Sequence, residues 1–149
     1  MYWYFRVLKK YAVFTGRARR KEYWMFTLIH LLISFVLTLL WVALSRGEPL
    51  PDPNSFMSHI VEVYAWITFL PAWTVQVRRL HDVGQSGWWA FAPFMYTILT
   101  FFDFSPEMIG LELMLLIGLF FSVILLVFSV QDSQFGENRY GTTPKGDEL

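Results

Sequence analysis

Long apolar runs separated by short polar segments are the dominant pattern of this sequence. The runs cover about residues 23–44, 59–77, 88–104 and 111–130. A helix rises about 1.5 Å per residue, so about 20 apolar residues cross a hydrocarbon core of about 30 Å. The pattern predicts four transmembrane helices in one domain, residues 23–130. The second and third runs each contain a proline, and the third is short.

Neither the strands of an outer-membrane barrel nor a cleaved signal peptide fits these runs well. Barrel strands alternate apolar and polar residues, whereas these runs are continuously apolar. The first run begins only after residue 22 and is longer than the apolar part of a signal peptide. Within lipid, a helix satisfies its own backbone hydrogen bonds. The predicted fold class is therefore all-α, an integral membrane bundle of four transmembrane helices.

The N-terminal segment, residues 1–22, has a helical spacing of its own over residues 1–14. Three basic residues share one face and three apolar residues share another: Arg6, Lys9 and Lys10, and Trp3, Val7 and Tyr11. A helix of this kind lies in the headgroup layer of a bilayer. We expect a short amphipathic interfacial helix whose basic face meets anionic headgroups. The alternative is that these charges only fix the topology.

Composition agrees with a protein that is partly solvated by lipid. Hydrophobic residues make up 55% of the chain and charged residues 16%, whereas soluble domains carry about 25% charged residues. The chain has no cysteine, which excludes disulfides, thiolate metal sites and cysteine nucleophiles.

The net charge is zero, but the basic residues are unevenly distributed. Of the 12 lysines and arginines, all but Arg46 flank one side of a four-span arrangement. That side holds the N-terminal segment, the connection after the second run and the tail, residues 131–149. Because cytoplasmic loops are enriched in Lys and Arg, both termini are predicted to be cytoplasmic.

Tryptophans mark the ends of the predicted spans. Aromatic rings of this size prefer the interface between membrane and water. Five residues are therefore predicted interface anchors: Trp3, Trp24, Trp41, Trp88 and Trp89.

The richest polar stretch is "RRLHDVGQSGWW", residues 78–89. Arg78 and Arg79 suit the end of a helix, where cations complement the helix dipole, and the glycines and serine suit a turn. The pair His81–Asp82 is left without such a role. Adjacent residues rarely face each other well, no nucleophile stands out, and the three histidines fall at different depths. We predict no catalytic residue and no metal site, and local hydrogen bonding is the simpler interpretation of the pair.

Three segments resemble one known family. "FTGRARRKEYWMF" (14–26), "VRRLHDVGQSGWW" (77–89) and "GENRYGTTP" (136–144) are similar to segments of the bacterial domain-of-unknown-function 805 family. The resemblance implies a small inner-membrane protein with four spans, and it implies no mechanism. All three segments fall on the predicted cytoplasmic side. Their polar residues are candidates for ligand or headgroup binding: Arg17, Arg19, Arg20, Arg78, Arg79, His81, Asp82, Asn138, Arg139 and Tyr140.

Three functions remain open from the sequence. The first is a non-enzymatic membrane protein whose cytoplasmic Arg/His/Asp cluster binds anionic lipid headgroups, a membrane partner protein or a second copy of the chain. The second is a small oligomeric transporter or channel, with His30, Glu62 and Gln76 as candidates because ionisable or polar residues within spans are often functional. The third is a lipid-modifying enzyme that uses His81 and Asp82. No cofactor and no nucleic acid partner are expected.

Overall fold

The computed structural model describes residues 2–45, 52–94 and 111–144. These ranges contain four α-helices and one 3-10 helix: α1 (Tyr2–Lys9), α2 (Arg20–Leu44), α3 (Phe56–Asp82), the 3-10 helix (Gly87–Phe94) and α4 (Leu111–Val130). In this part of the chain there is no β-strand, only an isolated bridge between Asn138 and Gly141. The all-helical prediction is confirmed for the described residues.

Two helices, α2 and α3, are long and apolar enough to cross a membrane. In α4 the corresponding apolar stretch is shorter, Leu115–Val130. α2 exposes many large apolar side chains, such as those of Leu31 and Phe35, as expected for a surface in contact with lipid.

α3 is longer than the apolar run that predicts it. It begins at Phe56 and continues through Pro71 to Asp82. Pro71 lacks an amide hydrogen, which costs the helix one backbone hydrogen bond. The Thr74 hydroxyl donates to the Pro71 carbonyl at 3.0 Å. The polar residues of the "RRLHD" stretch therefore extend the helix by more than a turn instead of forming a loop.

The third predicted span differs from the structure where it can be compared. Residues 88–94 belong to a 3-10 helix rather than to the start of an α-helix, and residues 95–104 lie outside the described residues. The Trp89 amide donates to the Ser86 carbonyl at 3.3 Å, an i to i+3 bond of the kind that defines a 3-10 helix. Four spans therefore remain a prediction.

The N-terminal helix is shorter than predicted, because α1 ends at Lys9. Its buried residues are Tyr4 and Val7, which lie one turn apart. Val7 is therefore buried within the protein, although the sequence placed it on the face with Trp3 and Tyr11. The Tyr4 ring stacks on Phe26 of α2 with 5.2 Å between ring centroids, and this contact joins α1 to α2.

The chain divides into two compact units. The first unit comprises Met1–Val13 and Lys21–Thr74, and the second comprises Phe14–Arg20 and Val75–Leu149. In the first unit, His30 Nδ1 and the Tyr64 hydroxyl lie 3.1 Å apart. In the second unit, the 3-10 helix packs on α4 through Trp89, whose ring is 6.0 Å from that of Phe128.

Candidate functional site

A buried carboxylate, that of Asp82, is the centre of the second unit. Arg17 Nε donates to Asp82 Oδ1 at 3.0 Å, Arg79 Nη1 donates to Oδ2, and the Ser133 hydroxyl donates to Oδ2 at 2.5 Å. The residues Arg79 and Asp82 are 0% exposed and Arg17 is 6% exposed. Ionised groups withdrawn from water need such partners, because an unpaired buried charge is costly. We call Arg17, Arg79 and Asp82 the arginine clasp.

The two arginines of the clasp also donate to backbone carbonyls in the last turn of α4 and in the chain that follows it. Arg17 donates to the Gly136 carbonyl at 2.6 Å and also to the Gln134 carbonyl. Arg79 donates to the Ser129 carbonyl at 3.2 Å and also to the Gln131 carbonyl. The last carbonyls of a helix have no partner within the helix. Arg79 therefore caps α4, and Arg17 holds the chain that follows it.

Local backbone geometry places Asp82 at the end of α3. The Gln85 amide donates to the Leu80 carbonyl at 2.9 Å and the Gly84 amide to the His81 carbonyl at 3.1 Å. Gly84 has a φ of +77°, which favours glycine. These two bonds and the positive φ form a Schellman cap. The cap ends α3 immediately after the residues that form the clasp.

The segment before α2 is bound to the same helix end. The Ala18 amide donates to the Arg78 carbonyl at 2.9 Å, and Ala18 is fully buried. The Arg78 side chain is buried as well. This backbone bond brings Arg17 alongside Asp82, so the clasp depends on chain segments that are distant in sequence.

His81 and Asp82 have different partners, although they are adjacent in sequence. His81 Nδ1 lies 3.2 Å from the Gly16 carbonyl, and its ring stacks on Tyr140 with centroids 3.8 Å apart. Asn138 Nδ2 donates to the His81 carbonyl at 2.9 Å. The His81 ring is thus packed between the chain before α2 and the tail, while Asp82 belongs to the clasp.

The three remaining predicted arginines have partners outside the clasp. Arg19 donates to the Pro144 carbonyl at 2.6 Å. Arg20 forms an exposed pair with Asp132 at 2.6 Å. Arg139 lies over the Tyr140 ring, 4.7 Å from its centroid. Arg19 therefore holds the tail, whereas Arg20 and Arg139 reach the surface.

The sequence pattern does not point to Ser133 or to the backbone carbonyls that accept hydrogen bonds from the clasp. Ser133 is a single polar residue shortly after the last apolar run, and only its position hints at a role. Backbone carbonyls leave no signal in a sequence. Among the residues that the structure describes, no group of three or more His, Cys, Asp or Glu side chains is arranged to hold a metal ion.

The first unit contains a separate basic and aromatic surface at the start of the chain. The Trp3 ring lies 5.3 Å from the Arg6 guanidinium carbon and 5.8 Å from Lys21 Nζ. Arg6 Nε is also 3.9 Å from Glu22 Oε2, a carboxylate that is buried. We call Trp3, Arg6, Lys9 and Lys21 the N-terminal basic surface.

The predicted interface anchors differ in exposure. Trp88 is 76% exposed, while Trp3 and Trp24 are half-buried. Trp89 also contacts Phe121, with ring centroids 6.3 Å apart. Trp41 Nε1 donates to the Asp52 carbonyl at 3.3 Å.

The polar residues considered for transport have local partners. His30 bonds with Tyr64, and Gln76 Nε2 donates to the Ser129 hydroxyl at 3.4 Å. Glu62 accepts from Trp66 Nε1 at 3.5 Å. His30 and Gln76 thus contact a neighbouring helix, whereas Glu62 contacts an exposed residue of its own helix.

A family model described as "Protein of unknown function (DUF805)" matches residues 11–142. The chain belongs to the DUF805 family. The resemblance seen in the sequence is thereby confirmed. In this DUF805 chain, polar residues from all three family-like segments contribute to the clasp or to the tail contacts around it.

Two DUF805-like relatives come from Escherichia coli K12. "Inner membrane protein YhaH" is 39% identical over 97% of this chain and 98% of its own length. "Inner membrane protein YhaI" is 37% identical over 97% of each. No solved structure matches. These relatives, together with the two helices that are long and apolar enough to cross a membrane, support an integral inner-membrane protein.

Proposed function

We propose that this DUF805 protein is a non-enzymatic integral inner-membrane protein that binds anionic phospholipid headgroups through its N-terminal basic surface. The observation that supports this most is the position of Arg6 and Lys21, both directed at the Trp3 ring. An aromatic ring at headgroup level with cations on it suits a phosphate that lies just outside the apolar core.

The exposed residues of α1 favour the same proposal. Tyr2 and Phe5 are exposed and Lys9 is exposed on the same side of the helix. Tyr4 and Val7 are buried, so one face of the helix packs against the protein and the opposite face is exposed. A helix fixed in this way binds a headgroup without first having to fold, which lowers the entropic cost of binding.

The arginine clasp has a structural role in this proposal. Headgroup binding by the whole Arg/His/Asp cluster would require guanidinium hydrogens that reach outward, whereas those of Arg17 and Arg79 bond to Asp82 and to backbone carbonyls. Among the cluster residues, Arg20 and Arg139 are exposed. They provide a control basic surface that is separate from the N-terminal basic surface.

The proposal also includes the topology with both termini in the cytoplasm. Contacts within the second unit join the segment before α2, the end of α3 and the chain after α4. Segments that touch lie on the same side of the membrane, which supports an out-and-back path through α2 and α3. The proposed topology has an even number of spans between these segments, and the enrichment of basic residues on one side supports it.

The test measures lipid retention on the purified full-length protein. Native mass spectrometry would compare phosphatidylglycerol with phosphatidylcholine on the wild-type chain and on Lys9→Gln/Lys21→Gln. A basic residue near an anionic leaflet contributes about 1 kcal/mol. We therefore expect the preference for phosphatidylglycerol to fall about fivefold for each lysine removed.

The matched control is Arg20→Gln/Arg139→Gln, which removes two exposed charges from the second unit. It should keep the wild-type preference for phosphatidylglycerol. A wild-type chain without such a preference, or an equal loss in both double variants, would contradict binding at the N-terminal basic surface.

A further inference from the structure

A second surface feature of the first unit lies between α2 and α3, away from Lys21. An apolar groove of about 550 Å³ runs between α2 and α3. Ile33 and Leu37 line it from α2, and Ile60, Val63 and Ile67 from α3. Its apolar lining suits an acyl chain.

A smaller hollow with a mixed polar and apolar lining adjoins this groove. It has a volume of about 310 Å³, and Trp41, Ser45, Asp52 and Ser55 contribute to its lining. Phe56 lines both the hollow and the groove. An apolar groove next to a hollow that contains polar side chains matches the layout of a phospholipid, a chain followed by a headgroup.

The charged side chains that the structure describes near this end include the carboxylates of Asp52 and Glu62. The Asn54 amide donates to Asp52 Oδ1 at 2.9 Å. This turn orients the carboxylate, and Asp52 Oδ2 takes no part in that hydrogen bond. Glu62 lies on α3 next to the groove-lining His59, with His59 Nδ1 and Glu62 Oε2 3.9 Å apart. Within the described ranges, no lysine or arginine lines the groove or the hollow.

We propose that the groove and hollow together bind phosphatidylethanolamine, with one acyl chain in the groove and the ammonium group at the Asp52 carboxylate. The proposal is independent of the N-terminal basic surface, which involves different residues and the opposite charge.

Headgroup chemistry decides which lipid fits. Lipid tails are as apolar as the groove, so burying a chain gives little selectivity between lipids. A primary ammonium donates hydrogen bonds to a carboxylate, whereas the trimethylated ammonium of phosphatidylcholine has no hydrogen to donate. Phosphatidylglycerol carries the same phosphate but has no ammonium group, so it offers the Asp52 carboxylate no cationic partner.

The experiment again uses the full chain and native mass spectrometry, here with equimolar phosphatidylethanolamine and phosphatidylcholine. We expect wild-type protein to retain about three times more phosphatidylethanolamine, since an exposed ion pair contributes less than about 1 kcal/mol. Asp52→Asn should abolish the preference while its side-chain oxygen still accepts from Asn54. Asp132→Asn, an exposed carboxylate in the second unit, should keep the preference.

A second pair of variants tests the groove. Val63→Trp fills it and should lower retention of phosphatidylethanolamine at least twofold, whereas Val123→Trp, on the exposed face of α4, should not. Equal retention of the two lipids by wild-type protein overturns the proposal. So does a preference that survives Asp52→Asn, or a loss of retention that is the same for both tryptophan variants.

Discussion

Asp82 shows how much a single residue depends on its surroundings in this protein. It is adjacent to His81 in sequence, an arrangement that suggests acid–base chemistry, yet its carboxylate accepts from Arg17, Arg79 and Ser133. Two guanidinium groups around one carboxylate leave an excess positive charge. Backbone carbonyls, including that of Ser129 at the end of α4, offset this excess.

Neutralising Asp82 should therefore destabilise the fold strongly. Asp82→Asn leaves two buried guanidinium groups without their counter-ion, a change that typically costs about 3–5 kcal/mol. Thermal unfolding in detergent or nanodiscs would measure it as a large fall in Tm. Asp132→Asn, which removes the exposed partner of Arg20, should cost less than about 1 kcal/mol. Similar Tm values for the two variants would contradict a structural clasp.

At the scale of elements, the turn between α3 and the 3-10 helix is closely packed. A Cβ added at Gly87 would lie 2.7 Å from Val77 Cγ1 and 3.1 Å from His81 Nε2. The His81 ring is already held on its face by Tyr140. Gly87 is thus needed for the close approach of the 3-10 helix to α3, and the turn chemistry seen in the sequence has a packing reason.

Gly87→Ala should destabilise the second unit by about 1–3 kcal/mol, the usual cost of overpacking. Chemical or thermal unfolding of the purified protein would measure this. Adding Val77→Ala should recover part of the loss, because it removes the closest atom. Gly118→Ala in α4, where an added Cβ meets nothing within 4 Å, should be neutral or slightly stabilising. Equal losses at both glycines would argue against this packing.

At the scale of the whole molecule, the three family-like segments come together although they are far apart in sequence. Arg17 bonds to residues 65 and 119 positions away, Asp82 and Gly136. The DUF805 family and the inner-membrane relatives identify the setting as a membrane. In a membrane, segments that contact each other lie on the same side, which limits how many times the chain can cross the bilayer between them.

Reporter proteins fused to the two termini should therefore both indicate a cytoplasmic location. A fluorescent protein that folds in the cytoplasm should be active when fused before residue 1 or after residue 149. Alkaline phosphatase, which is active only outside the cytoplasm, should be active when inserted after Ser45 and inactive at the C-terminus. An active C-terminal phosphatase would contradict the predicted topology.

The sequence by itself determined the features that depend on local composition. Apolar length predicts α2, α3 and α4, because crossing a membrane requires a minimum run of apolar residues. The three polar segments predict the family, and the excess of basic residues predicts the orientation.

Only the tertiary structure decided what the polar residues do. The sequence places His81 beside Asp82, but the two side chains point in different directions from the end of α3. His81 contacts Gly16 and Tyr140, whereas Asp82 contacts Arg17 and Arg79. The acceptors of Arg17 and Arg79 are largely backbone carbonyls, which every residue has and no sequence pattern marks. Charges withdrawn from water need partners, and here those partners lie on segments that are distant in sequence.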